Sequence, residues 1–365
     1  MPTQIRILRH LRANHRSPEE HGQAVVIVAL SIIGLLAMAG LVFDGGNAYV
    51  QRRRMQNAAD GASLAGTNIL AVVTNSSAVT ECAIRVAVER YAKSNGVPGP
   101  NPDPSCNSLN SNIKAYFVNS SGTQVGVEIG LNSGVPSGAR GVRVVPQTTF
   151  STFFLGILNQ TLGAANAQAA AIYGAVKSPS ALGPIAVQCD KPSLDQCFTF
   201  GQTYDIFDGL GPGNKGWLGF NGVNNAPNIE KELDPNYPDP PLDHYVDPDP
   251  ANPPAPYTHY EPPCSEVAVG CWVQGEPGGK NSNGIRNNLN LYWVNQERVF
   301  PIYDVQQGSG SHNDYHIVGF AVFIIRSYDL PHGRITGEFV RAVTSGEICL
   351  SGCMDTGLRT TVLTQ

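Results

Sequence analysis

Residues 22–46 read GQAVVIVALSIIGLLAMAGLVFDGG, and the architecture turns on them. Ala24 to Phe43 carries no charged side chain, and Asp44 closes the run. As a helix rising about 1.5 Å per residue, such a run spans about 30 Å, the thickness of a bilayer's hydrocarbon core. A cleaved secretory signal has a shorter apolar run, of about 7–15 residues, and a small-residue exit site. The longer run here continues into good helix-forming sequence, which predicts a retained, single-span membrane anchor. A buried core helix is the alternative, and so long an uncharged stretch argues against it.

The flanks bear on orientation. Arg6, Arg9, Arg12 and Arg16 precede the segment, and Arg52, Arg53 and Arg54 follow it. Positive residues alone therefore decide little. The eight cysteines (Cys82, Cys106, Cys189, Cys197, Cys264, Cys271, Cys349 and Cys353) all lie after the apolar run. Their even number, and the close pairs 189/197, 264/271 and 349/353, fit disulfides formed in an oxidising compartment. Connectivity cannot be read from spacing, and free thiols stay open as an alternative. Zinc would favour tight Cys-x-x-Cys pairs, which are absent. Residues 1–21 are accordingly expected as a basic cytoplasmic tail, with everything from about residue 45 on the outside.

The chain has 365 residues, 39 of them Gly and 27 Pro, and only 15% are charged. This composition predicts β structure with many turns. A net charge of −5 offers no basic footprint, so no nucleic-acid partner is expected. Beyond the apolar run, Met55, Ala59, Ala62, Gly66 and Ile69 recur at helical spacing and are mostly small. A face like this permits close approach of another helix, or packing on the chain's own domain.

Gly22 ahead of the run, Asp44-Gly45 at its end, the basic Arg52–Arg54 and the string MQNAADGASLAG (residues 55–66) together resemble the N-terminal signature of TadE/TadG-like proteins of tight-adherence, Flp-type pilus assembly. Further segments are similar to that family: Val142–Val144, Thr149–Phe154, Ala164–Ala175, Gly183–Val187, Pro301–Asp304 and Tyr315–Ala321. The resemblance implies a membrane-anchored envelope protein with a structural or assembly role in pilus biogenesis and surface adherence. Its partners would be the lipid bilayer and other pilus-assembly or pilin-like membrane helices, met through Met55, Ala59, Ala62, Gly66 and Ile69. The chain departs from the family in two ways. Pilin-like precursors carry Glu five residues after the cut Gly, where Gly22 here is followed by Ile27. The Asp-x-Ser-x-Ser signature of an adhesion metal site is also missing.

The expected fold class is α+β: a single-span long helix, then a β-rich extracytoplasmic region. The divisions are 1–21 (tail), 22–72 (spanning helix and extension), 73–177 (helix plus β-hairpin) and 178–365 (β-rich, with a Pro/Asp-rich loop at 221–263). A second helix is expected over about Ala78–Ser94, capped from Thr74–Ser77. Ile113–Val118 reads as a strand, and Val125–Leu131 with Val142–Val144 as a hairpin. Phe153–Leu158 reads as a short helix, while the Ala-rich stretch after it is ambiguous between helix and strand. Strands are expected at Arg298–Val305, His316–Tyr328 and Arg334–Val343, with Ile317–Ile325 central because it is apolar on both faces.

No nucleophile elbow, phosphate loop, dinucleotide fingerprint or zincin motif occurs. His312 and His316 would lie about 13 Å apart on a strand, too far to share an ion. Asp205, Asp208 and the glycines after them lack calcium-loop spacing, and Asp234, Asp239, Asp243, Asp247 and Asp249 read as solvated turns. No catalytic, cofactor-binding or metal residue is expected, and no enzyme. The alternatives are an adhesin or carbohydrate-binding module, with Trp217, Trp272 and Trp293 lining a groove, and, more distantly, a hydrolase.

Overall fold

The structure is a computed structural model that describes residues 20–73, 77–179, 182–208, 216–220, 226–236, 266–276, 280–309, 312–349 and 352–364. One helix, α1 (Glu20–Val72), carries both the apolar run and its extension without a break. Helix α2 (Ala78–Ser94) follows, its first turn capped by Ser77, whose Oγ accepts the Thr80 N–H. The expected fold class, a long apolar helix followed by a β-rich region, is what the chain adopts.

Among the described residues fourteen strands follow: β1 (Ile113–Val118), β2 (Gln124–Glu128), β3 (Gly141–Ser151), β4 (Leu162–Asn166), β5 (Ala169–Pro179), β6 (Val187–Gln188), β7 (Thr203–Asp205), β8 (Trp272–Gln274), β9 (Arg298–Ser309), β10 (His312–Asp329), β11 (Arg334–Val340), β12 (Ala342–Val343), β13 (Gly346–Cys349) and β14 (Leu358–Thr364). Two short helices, α3 (Ala226–Glu232) and α4 (Asn283–Asn288), interrupt them. The first sheet runs β12-β14-β5-β3-β1-β2, with β13 beside β5 and β4 beside β3; the second runs β6-β9-β10-β11-β7, with β8 beside β10. The end of the chain thus returns to the first sheet, where β14 pairs antiparallel with β5.

One expectation from sequence changes here, and one reading left open is decided. The predicted hairpin between Val125–Leu131 and Val142–Val144 is not a direct pairing, because β1 lies between β2 and β3 and bonds to both. The chain leaves β2 at Glu128 and turns through Gly130 and Gly134, both at positive φ, before β3 begins. A period-two pattern marks a strand's faces but not its neighbour. The Ala-rich stretch forms β4 and β5 rather than a helix. Intrinsic helix preference is a weak prior, and burial of Ala169, Ala170 and Ala171 in the sheet overrides it.

The second sheet is covered on both faces. On one side Phe300, Phe323 and Phe339 pack with Ile229, Ile285 and Leu289 from the α3 and α4 region. On the other, Tyr303, Phe320 and Val322 meet Val176 and Leu358 of the first sheet. This double burial explains why Ile317–Ile325 shows no polar alternation, and β10 is central as expected.

Contacts divide the chain into two compact units. One holds α1 up to Arg53 together with residues 148–165; the other holds residues 54–147 and 166–365.

Candidate functional site

In the first unit, the helix presents bare apolar surface. Among the described residues it is the one helix long and apolar enough to cross a membrane, and its apolar run is almost wholly exposed. Leu30, Leu35, Leu36, Leu41 and Val42 are all exposed. The core helix of a soluble domain would bury such side chains, whereas a lipid-facing helix leaves them on the outside.

Asp44 is buried, and its carboxylate accepts three backbone N–H groups: Phe153 at 2.7 Å, Phe154 at 3.0 Å and Leu155 at 2.7 Å. Those amides open a 3-10 turn at Leu155–Leu158 that has no side-chain cap of its own. An acid on a helix more than a hundred positions away therefore supplies the acceptor that the free N–H groups of a helix start require. Gly40, one turn earlier, lets the segment close in: a Cβ there would stand 2.5 Å from Phe154 Cβ. Phe43 stacks on Phe154 at 6.0 Å, and the Asn47 amide donates to the Ser151 carbonyl at 3.3 Å. From sequence Asp44 reads only as the boundary of the apolar run; nothing local announces its distant partner.

In the second unit, the small-residue face has a different use from the one expected. Met55, Ala59 and Ala62 are fully buried, Gly66 is buried and Ile69 half-buried, all within this unit. A Cβ on Gly66 would meet Val88 of α2 at 2.8 Å and Val142 of β3 at 3.3 Å. Thr67 beside it donates to the Ala171 carbonyl at 3.1 Å and accepts the Val142 N–H at 3.0 Å, tying the helix to β3 and β5. Arg359 of β14 caps the end of α1 through the Ala71 carbonyl at 2.6 Å. The assignment of Met55, Ala59, Ala62, Gly66 and Ile69 to partner helices is thus corrected: the close approach these small residues permit is taken by the protein's own α2 and first sheet.

Helix α2 holds a feature that sequence reading missed. Glu81, Arg85 and Glu89 recur every four residues, a pattern that normally marks a solvated, ion-paired face. Here all three are buried. Arg85 Nε bonds Glu89 at 2.8 Å, and its two Nη atoms reach Glu128 and the carbonyls of Ile129, Asn110 and Ile113. All five guanidinium donors are used. Glu81 accepts the N–H groups of Gly130, Leu131 and Gly134. The Cys82–Cys106 disulfide fastens the same helix to the same loops.

Two further disulfides join Cys189–Cys197 and Cys349–Cys353, and Cys271 is also disulfide-bonded. Cys264 lies outside the described residues. The oxidised state expected from the cysteine count holds for the seven described.

The remaining candidates resolve as follows. His312 and His316 both lie on strand β10, and the His316 ring sits 2.8 Å from Asp304 and against Trp272. No group of three metal-ligating side chains occurs among the described residues. Asp205 accepts the N–H groups of Phe207 and Ile335, a structural use, while Asp208 is exposed. Asp234 accepts the Asn236 N–H; Asp239, Asp243, Asp247 and Asp249 lie outside the described residues, as does most of the 221–263 loop. Trp217, Trp272 and Trp293 are buried, so they line no groove. Tyr303 and Tyr315 pack edge to face at 4.6 Å, and burial pushes the Tyr315 phenol up to about 12, the value of a core group.

Compared with known families, residues 22–74 match the Tad family of Flp pilus-assembly, TadE/G-like proteins. The further similarities expected between Val142 and Ala321 fall outside that match. No curated protein and no solved structure matches the chain.

Proposed function

We propose that this chain is a single-pass protein of the cell envelope, tied to Flp-type pilus assembly in a structural, non-enzymatic role. Its N-terminus lies in the cytoplasm and its β-rich region outside the inner membrane. The observation that carries the reading is a coincidence of position. Residues 22–74, which match the pilus-assembly family, are almost the same residues as α1, the helix whose apolar part is bare and whose later part is packed into a disulfide-linked domain. Lipid would cover the bare part. Because the face at Met55–Ile69 is occupied internally, other membrane helices of the assembly would meet this one through the exposed run before Phe43.

Oxidised cysteines in the exterior fit an extracytoplasmic location, since the cytoplasm keeps thiols reduced. The test is deletion of the chain in its host, scored by surface fibres in electron micrographs and by surface attachment. Loss of fibres, restored by the full chain but not by a version lacking residues 24–43, is expected. Normal fibres after deletion would contradict the pilus role.

A further inference from the structure

We propose that residues 148–165 form a second membrane contact, a hairpin tip that enters the outer interfacial layer of the bilayer beside the anchor helix. The inference rests on the reading of α1 as a membrane anchor and adds a site to it.

Three observations place this hairpin at lipid. The first is depth. Phe154 packs on Gly40, inside the apolar run and one turn before Asp44. At about 1.5 Å per residue this contact lies about 6 Å on the membrane side of Asp44, the depth at which interfacial apolar groups sit. The second is composition. From Thr148 to Ala165 the segment TTFSTFFLGILNQTLGAA has no charged residue, so nothing in it resists leaving water. The third is exposure. Phe153 is 72% exposed, Leu162 is 65% exposed, and Phe43 and Leu155 are also open, although Phe153 and Leu155 flank the buried contact with Gly40. An apolar cluster left uncovered beside a membrane-spanning helix is continuous with that helix's own lipid-facing surface.

The Asp44 bonds suit this setting. Backbone N–H groups entering a water-poor layer must have partners, and Asp44 satisfies those of Phe153, Phe154 and Leu155. Across the base of the hairpin the Thr152 N–H is satisfied by the Thr161 carbonyl. Exposed Tyr49 and Arg52 follow at headgroup level, the usual place of aromatic and basic residues.

The test uses the full chain reconstituted into phosphatidylcholine vesicles with bromine on the upper acyl carbons. Phe153→Trp and Leu162→Trp add one fluorophore each at exposed positions, read as difference spectra against the wild-type chain. Leu36→Trp, within the apolar run, reports on the anchor itself. The expected result is blue-shifted emission from all three added tryptophans, most of it lost in brominated vesicles, with little quenching by aqueous iodide. Iodide quenching at positions 153 and 162 with lipid quenching at position 36 would overturn the hairpin contact and leave the anchor standing. Protection of 153 and 162 from both quenchers would also overturn it, since another protein surface would then be the cover. Iodide quenching at all three would remove the anchor reading itself. Unchanged emission from the buried Trp217, Trp272 and Trp293 confirms folding in each variant.

Discussion

Gly66→Leu distinguishes self-packing from partner-packing on the extended helix. The added Cβ alone would lie 2.8 Å from Val88 Cγ2 and 3.3 Å from both Val142 Cγ atoms. Carbon atoms rest at about 3.5–4.0 Å, so the Val88 contact falls short by about 1 Å. Val88 and Val142 are β-branched and fully buried, so neither can rotate away freely. Overpacking of this kind costs about 1–3 kcal/mol, and three further carbons with no space push leucine toward the upper end. Removing a helical glycine returns about 1 kcal/mol, leaving a net loss of about 2 kcal/mol. A domain of this size loses about 2–4 °C in melting temperature per kcal/mol, so the expected drop is about 4–8 °C. Gly61→Ala is the control: its nearest neighbour is Asn95 Nδ2 at an ordinary 3.5 Å, so propensity alone acts and the melting temperature rises slightly. Thermal unfolding of the detergent-solubilised full chain, followed by near-ultraviolet circular dichroism, reads both variants. A Gly66→Leu protein that melts at or above wild type would refute the packing argument and return this face to an outside partner.

Other outcomes follow from the same geometry. Arg85→Met should cost about 3–5 kcal/mol in urea unfolding, because it strands Glu89 in the core and frees the loop carbonyls; a loss under about 1 kcal/mol would mean the network is dispensable. Replacing Cys82 and Cys106 together by Ser opens a loop of sequence separation 24 and should cost about 3 kcal/mol in urea unfolding without reductant, the other disulfides staying intact; a loss under about 1 kcal/mol would mean the bridge adds little. Asp44→Ala should strip hydrogen-exchange protection from the amides of Phe153, Phe154 and Leu155 while leaving β5 and β10 protected; unchanged protection would show that Asp44 does not hold the turn.

What the sequence made legible was what has a short period. The uncharged run before Asp44, the helix at Ala78–Ser94 and the apolar strand at Ile317–Ile325 all announce themselves within twenty residues, and all are present. What escaped depends on partners far along the chain. Asp44 meets Phe153 across 109 positions, and Thr67 meets Ala171 across 104. The Glu81, Arg85 and Glu89 stripe looks like a solvated face until the loops at 110–134 close over it. The small face at Met55–Ile69 was readable as a close-packing surface, but its partner was not, since sequence periodicity shows where a helix packs and not against what.

The account stands on α1 being embedded in lipid through residues 24–43. The direct measurement is extraction of membranes carrying the full chain with alkaline carbonate, compared with a chain lacking those residues. The account predicts that the full chain stays in the pellet and the shortened one leaves with the soluble fraction. Release of the full chain by carbonate would contradict it.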